Sequence, residues 1–236
     1  MNSAFKMNSL GEGYRALVIG ASGALGSAFC EWLNQDPRCA GVRELGRNSV
    51  PCLDLEDADS IARAAAELTG EAPYQLILHA AGLLHREGIK PEKSYAAIEA
   101  DALHSVFQVN TVGPALVLRY FLPLLDPQGA MAMLSAKVGS IGDNRLGGWY
   151  AYRASKAALN MLIKTAAIEL ARTRPQARLL SLHPGTVISG LSQPFRGASA
   201  ARPADIAARE LLTLIDRLEP ADSGHFFAYD GERLPW

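Results

Sequence analysis

Residues 15–29 read RALVIGASGALGSAF: an apolar run through Ile19, then Gly20, Gly23 and Gly26, then apolar residues at helical spacing that continue to Trp32 and Leu33. A run of that length reads as a buried strand, and glycines directly after it let the chain turn tightly into a helix. The same alternation recurs downstream. Strand-like runs fall at residues 15–20, 41–45, 51–55, 74–81, 130–136, 178–183 and 225–229, and segments of helical period fall between them near 58–69, 100–125, 150–172 and 203–218. Strands alternating with helices predict an α/β fold: a single-domain, doubly wound parallel sheet of about seven strands, Rossmann-like, with helices on both faces.

Composition agrees with one domain. The 236 residues are 49% hydrophobic and 20% charged, enough for one large core. With 23 basic against 24 acidic residues the net charge is −1, which leaves no field to hold nucleic acid or an anionic membrane. No repeat or linker divides residues 14–236. Residues 1–13 are polar, lack the apolar stretch of a secretory signal, and read as a flexible tail. The greasiest stretch, 113–125, is interrupted by Arg119 and Pro123 and is too short to span a bilayer, so a cytoplasmic location is expected. Cys30, Cys39 and Cys52 form no C-x-x-C pair and read as buried thiols. His79, His85, His104 and His225 are scattered, and no metal site is expected.

Gly20, Gly23 and Gly26 stand where a strand hands over to a helix, so the backbone there can approach a pyrophosphate, with the Ser22 hydroxyl adding a donor. Their G-x-x-G-x-x-G spacing departs from the G-x-G-x-x-G fingerprint, and a plain turn without a ligand would read the same way. Arg47, just past the second strand, can grip a 2′-phosphate bidentately, which argues for NADP(H) over NAD(H). Glu44 is the competitor and would favour NAD(H) if it faced the ribose. Tyr152 and Lys156 lie four apart on one helical face, and an ammonium beside a phenol lowers its pKa from the usual ~10. Residues 185–202, crowded with Gly, Ser, Pro and Ala, read as a lid or binding loop, or else as an inert surface loop.

Taken together, these motifs resemble the short-chain dehydrogenase/reductase family over nearly the whole chain, and residues 139–153, with Tyr229-Asp230-Gly231 and Leu234-Pro235-Trp236, look most like its C-factor and Sniffer-like carbonyl reductases. Residues 20–26, with Leu25 among them, resemble the cofactor turn. Leu53-Asp54-Leu55 resembles the segment where an aspartate meets the adenine, and His79-Ala80-Ala81-Gly82 is similar to N-N-A-G. Val109-Asn110 matches the active-site asparagine, Tyr152 to Lys156 the Y-x-x-x-K pair, and His183-Pro184-Gly185, with Val187 beyond, the turn beside the nicotinamide. The resemblance implies reduction of a small ketone or aldehyde, with Tyr152 moving the proton. Lys156 would tune Tyr152 and bind the nicotinamide ribose, and Asn110 would hold a relay water. It also implies a homo-oligomer, dimer or tetramer, although some members are monomers.

One departure bears on mechanism. Counting three back from Gly139 puts Ala136 where the family has its carbonyl-binding serine. Ser135 and Ser140 are the substitutes, unless no serine serves; strand alternation turns Ser135 away unless the strand end twists. His183 reads as packing beneath the Pro184-Gly185 turn rather than as a base. Trp149 and Tyr150 either border the substrate or are buried in the core or a subunit contact. The charged stretches 67–71 and 202–209 read as solvated helix surface. Two rivals stay open: a nucleotide-binding regulator with little turnover, and a sugar-nucleotide epimerase or dehydratase, against which stand the few residues after Gly185.

Overall fold

The protein is described by a computed structural model that covers residues 5–193 and 201–236. Six parallel strands, β1 Tyr14–Ile19, β2 Cys39–Leu45, β3 Tyr74–His79, β4 Leu125–Leu134, β5 Arg178–His183 and β6 Phe226–Ala228, form one sheet in the order β2-β1-β3-β4-β5-β6. Chain order reverses between β1 and β3, and there the sheet opens a crevice at its carboxyl ends. Helices α1 Ala24–Gln35 and α6 Ala204–Arg217 cover one face. Helices α2 Ala58–Leu68, α4 Gly113–Phe121 and α5 Tyr150–Thr173 cover the other. Helix α3 Ala100–Phe107 leads into α4. The near-continuous apolar strands are those of a sheet covered on both sides: Leu17, Leu76, Ile77, Leu179 and Leu180 have no exposed surface.

Several expectations are corrected. Residues 51–55 form no strand, because side chains take the backbone groups that a ladder would need. Ser49 Oγ donates to Pro51 O (2.6 Å), while Ser60 Oγ donates to Cys52 O (3.1 Å) and accepts from Asp54 N (2.9 Å). The sheet therefore has six strands rather than about seven. The helix expected over 100–125 is broken by a π-helical turn, Gln108–Val112, and gives way to a 3-10 turn after Phe121. Pro114 lacks the N–H that an unbroken helix would use. Of the cysteines only Cys30 is buried; Cys39 is half-buried and Cys52 exposed.

The described part of residues 1–13 is not loose. Met7 is fully buried, its N–H donates to Asp36 (2.8 Å), and Phe5 packs edge-on against Trp32. Of the loop expected at 185–202, residues 194–200 lie outside the described residues.

Candidate active site

A cleft of about 730 Å³ runs along the carboxyl ends of the strands. At one end the turn after β1 is fixed by backbone contact. Gly20 has φ +85°, and a Cβ there would lie 2.9 Å from Ala81 N. At Gly26 a Cβ would stand 2.1 Å from the Gly20 carbonyl oxygen, so α1 presses directly on the turn. The N-terminus of α1 has no side-chain cap and no acidic residue in its first turn, which leaves its positive end to the cleft. Ser22, Gly23, Ala24 and Leu25 line the cleft, whereas Gly26 sits behind them.

Arg47 lines the same end, together with Asp54, Leu55, Ala80, Ala81 and Gly82. Glu44 is not among the lining residues; its carboxylate faces Cys30 on α1, whose thiol is pushed up to about 12 by burial and then by that charge.

At the other end Tyr152 and Lys156 both line the cleft from the first turns of α5, one helical turn apart and both buried. Lys156 Nζ lies 5.9 Å from the Tyr152 ring centroid and donates to Leu134 O (3.0 Å) at the end of β4. Burial pushes the phenol up to about 12 and the ammonium down to about 8. The expected lowering of the phenol is thus absent in this arrangement: burial raises it, while the Lys156 ammonium donates its hydrogen bond to a carbonyl. At neutral pH Tyr152 is a protonated acid above a charged lysine.

Asn110, with no exposed surface, does not line the cleft but braces its wall. Its Oδ1 accepts from Leu83 N and its Nδ2 donates to Leu83 O, both at 2.7 Å, and Nδ2 also reaches Ser155 Oγ (3.1 Å). The π turn carries Asn110 in its middle, so the break in the helix and this pair of hydrogen bonds to the loop after β3 coincide. A Cβ on Gly82 would be 3.4 Å from both Asn110 Oδ1 and Lys156 Nζ, which places all three together.

The serine choice is narrowed by geometry. Strand β4 ends at Leu134, so the alternation that would turn Ser135 away stops one residue before it. Ser135 lines the cleft, and its Oγ is buried and without a hydrogen-bond partner. Ser140 lies off the cleft, and its Oγ accepts from Asp143 N (3.1 Å). Ala136, Lys137, Val138, Trp149 and His183 complete this end; Tyr150 does not line it. The His183 imidazole is held down to about 4, chiefly by burial and then by Lys137 and Arg202, which leaves it neutral near pH 7.

Two contributors carry no local sequence signal. Helix α5 is preceded by Trp149 in the left-handed region (φ 53°), whose side chain makes no capping hydrogen bond. Glu92, 59 residues before Ala151, is buried, and its carboxylate accepts from Ala151 N (3.2 and 3.3 Å). Arg202, expected on solvated helix surface, instead reaches inward to Pro184 O (2.7 Å). Across the cleft mouth His85 Nε2 meets Gly190 O at 3.0 Å.

Among the described residues no cluster of His, Cys, Asp or Glu could hold a metal, and no helix is long and apolar enough to cross a membrane.

Comparison with known proteins follows the same lines. A family model described as enoyl-(acyl carrier protein) reductase matches residues 32–233. The 1-hydroxy-2-glutathionyl-2-methyl-3-butene dehydrogenase of Rhodococcus is 31% identical over 210 residues, 89% of this chain and 87% of the relative. C-signal of Myxococcus xanthus is 40% identical over 134 residues, 55% of this chain and 76% of the relative. In structure, the carbonyl reductase Sniffer of D. melanogaster superposes with a TM-score of 0.81 at 24% identity, over 95% of this chain and 100% of that one. An NADPH-bound carbonyl reductase from chicken fatty liver gives 0.82 at 23%, over 96% and 100%.

Proposed function

Because this chain belongs to the short-chain dehydrogenase/reductase family of NAD(P)-dependent oxidoreductases, we propose that it uses NADPH to reduce a small aldehyde or ketone. The observation that carries this reading is that a buried phenol and ammonium line the same cleft as the glycine turn. The backbone fits a dinucleotide: where a Cβ would collide, Gly20 and Gly26 let strand and helix close to a distance at which N–H groups can reach a pyrophosphate. When bound, the cofactor supplies hydride to the carbonyl carbon.

The rest is done by the protein's own side chains. Tyr152, protonated at neutral pH, donates its proton to the carbonyl oxygen as charge develops there. Lys156 holds a positive charge under the departing proton and, by reaching toward the nicotinamide ribose, positions it. Asn110 keeps Leu83 and the wall around Gly82 in place, and by family resemblance holds a relay water. Pro184, Gly185 and Val187 face the pyridine end. Reduction is the favoured direction because Arg47 selects the phosphorylated cofactor, which cells keep reduced. Exposed Met161 and Ile168 on α5 support pairing with a second copy, as a dimer or tetramer.

Loss of NADPH absorbance against a panel of aldehydes, ketones and quinones tests the proposal. A protein that binds NADPH yet turns over none of them would favour the regulatory reading, which Ala136 and the C-signal relative both support.

Selectivity at the adenosine end gives a second result. With Arg47 lining the cleft and Glu44 turned to Cys30, NADPH is expected to bind at least about tenfold tighter than NADH, the size of a charge-assisted contact. Equal dissociation constants in a fluorescence titration would remove Arg47 from the 2′-phosphate.

The two serines should separate in kinetics. Ser135→Ala is expected to lower kcat about a hundredfold, as loss of one donor to the developing oxyanion does at the lower end of its range. Ser140→Ala should leave kcat unchanged, since its hydroxyl serves the backbone of Asp143. If neither change slows turnover, the carbonyl is held by another group.

A further inference from the structure

The turn after β5, Pro184 to Val187, forms one wall of the cleft, and within its own sequence only Pro184 restricts the backbone. Gly185 has φ +74°, a conformation open chiefly to glycine. Pro184 contributes a carbonyl but no N–H.

One residue far along the chain grips this turn from two directions. Through its main chain, Arg202 N donates to Thr186 O and Arg202 O accepts from Ile188 N, both at 2.9 Å. Through its side chain, Arg202 Nη2 donates to Pro184 O at 2.7 Å. The guanidinium lies flat enough on Tyr229 to bring its carbon 3.5 Å from the ring centroid, and its other arm pairs with the Glu210 carboxylate on α6. Gly185 closes the arrangement, since a Cβ there would sit 3.0 Å from the Tyr229 ring and 3.1 Å from Arg202 Nη2.

Holding an arginine in one rotamer costs side-chain entropy. An ordinary surface arginine is not held so; here stack, ion pair and carbonyl bond all act on a side chain only 22% exposed.

We propose that Arg202 is a positioning residue: it fixes the Pro184–Val187 turn in the shape that receives the pyridine ring, and it does so without touching the reacting atoms. The inference rests on the NADP(H) reading above and adds to it a named determinant of ring placement. Glycine turn, Arg47 and adenosine wall are untouched by Arg202, so the two halves of the cofactor should respond differently when it is changed.

The full-length protein and its Arg202→Met variant, which loses both donors and the planar cation, are titrated with NADPH and with 2′,5′-ADP, which lacks the pyridine half. NADPH is expected to weaken on the order of fivefold, the net worth of about one hydrogen bond, while 2′,5′-ADP binds as before. Arg202→Lys, which keeps the charge but loses the stack and the fork, should restore part of the difference. If Arg202→Met does not fold, Tyr229→Leu removes the ring beneath the guanidinium and should give the same selective loss in smaller measure. Both ligands weakening together, or neither weakening, overturns the positioning role and leaves the cofactor reading standing. Failure of the unchanged protein to bind 2′,5′-ADP overturns both.

Discussion

Tyr152→Phe is expected to abolish carbonyl reduction while leaving NADPH affinity within about twofold, because the hydroxyl serves the reacting oxygen and the ring serves the fold. A positioned general acid contributes roughly 10²–10⁴ in rate, so residual turnover should fall by that much. The phenyl ring keeps the edge-on packing with Trp149 (centroids 6.2 Å apart, 75° between planes), so the wall of the cleft survives the change. The check is kcat by NADPH consumption, beside a titration of the cofactor alone. Retained turnover with intact binding would mean that another group supplies the proton, and the pairing of Tyr152 with Lys156 would then be structural.

The second large effect concerns the turn at β1. Gly26→Ala places a methyl group 2.1 Å from the Gly20 carbonyl oxygen and 2.9 Å from Ala21 Cα, and both neighbours are backbone. No rotamer change relieves this, so α1 must lift away from the turn. The expected cost is about 1–3 kcal/mol of stability, as for other overpacked sites, with NADPH affinity reduced at least about tenfold as the N–H groups leave their places. Gly23→Ala is the control. Its φ of −77° suits any residue, and its Cβ would meet Gly20 O at an ordinary 3.4 Å, so loss of stability should be small. The two variants are compared by urea midpoint and by NADPH titration. Equal behaviour would show that helix and turn do not press on each other as described.

What was legible in the sequence divides along the range of the forces involved. The β1 turn and α1 could be read because each depends on neighbours in the chain, and β5 was placed residue for residue from its apolar run. Residues 51–55 were misread as a strand because an apolar extended segment looks the same whether its hydrogen bonds go to a neighbouring strand or, as here, to Ser49 and Ser60. The break at Asn110 was hidden for a related reason: apolar spacing continues through it, and its partner, Leu83, is 27 residues away.

In the site, Tyr152 and Lys156 could be named from their spacing, but the direction in which the phenol shifts could not. That sign depends on how deeply α5 is buried and on Leu134 O taking the lysine's bond. Whether Ser135 or Ser140 faces the cleft depended on where β4 stops, a boundary that pattern alone does not locate. Glu92 and Arg202 are ordinary charged residues in ordinary surroundings until distant segments are brought against them.

The carboxylate that Glu92 lends to Ala151 has a consequence for how the molecule acquires its chemistry during folding. A helix usually nucleates on groups close in the chain, yet the first turn of α5 is completed by a residue 59 positions earlier. The proposed acid, Tyr152, sits in that turn. The turn that carries the proposed acid is therefore completed only when a large chain loop has closed, which ties that part of the site to long-range folding rather than to local helix formation.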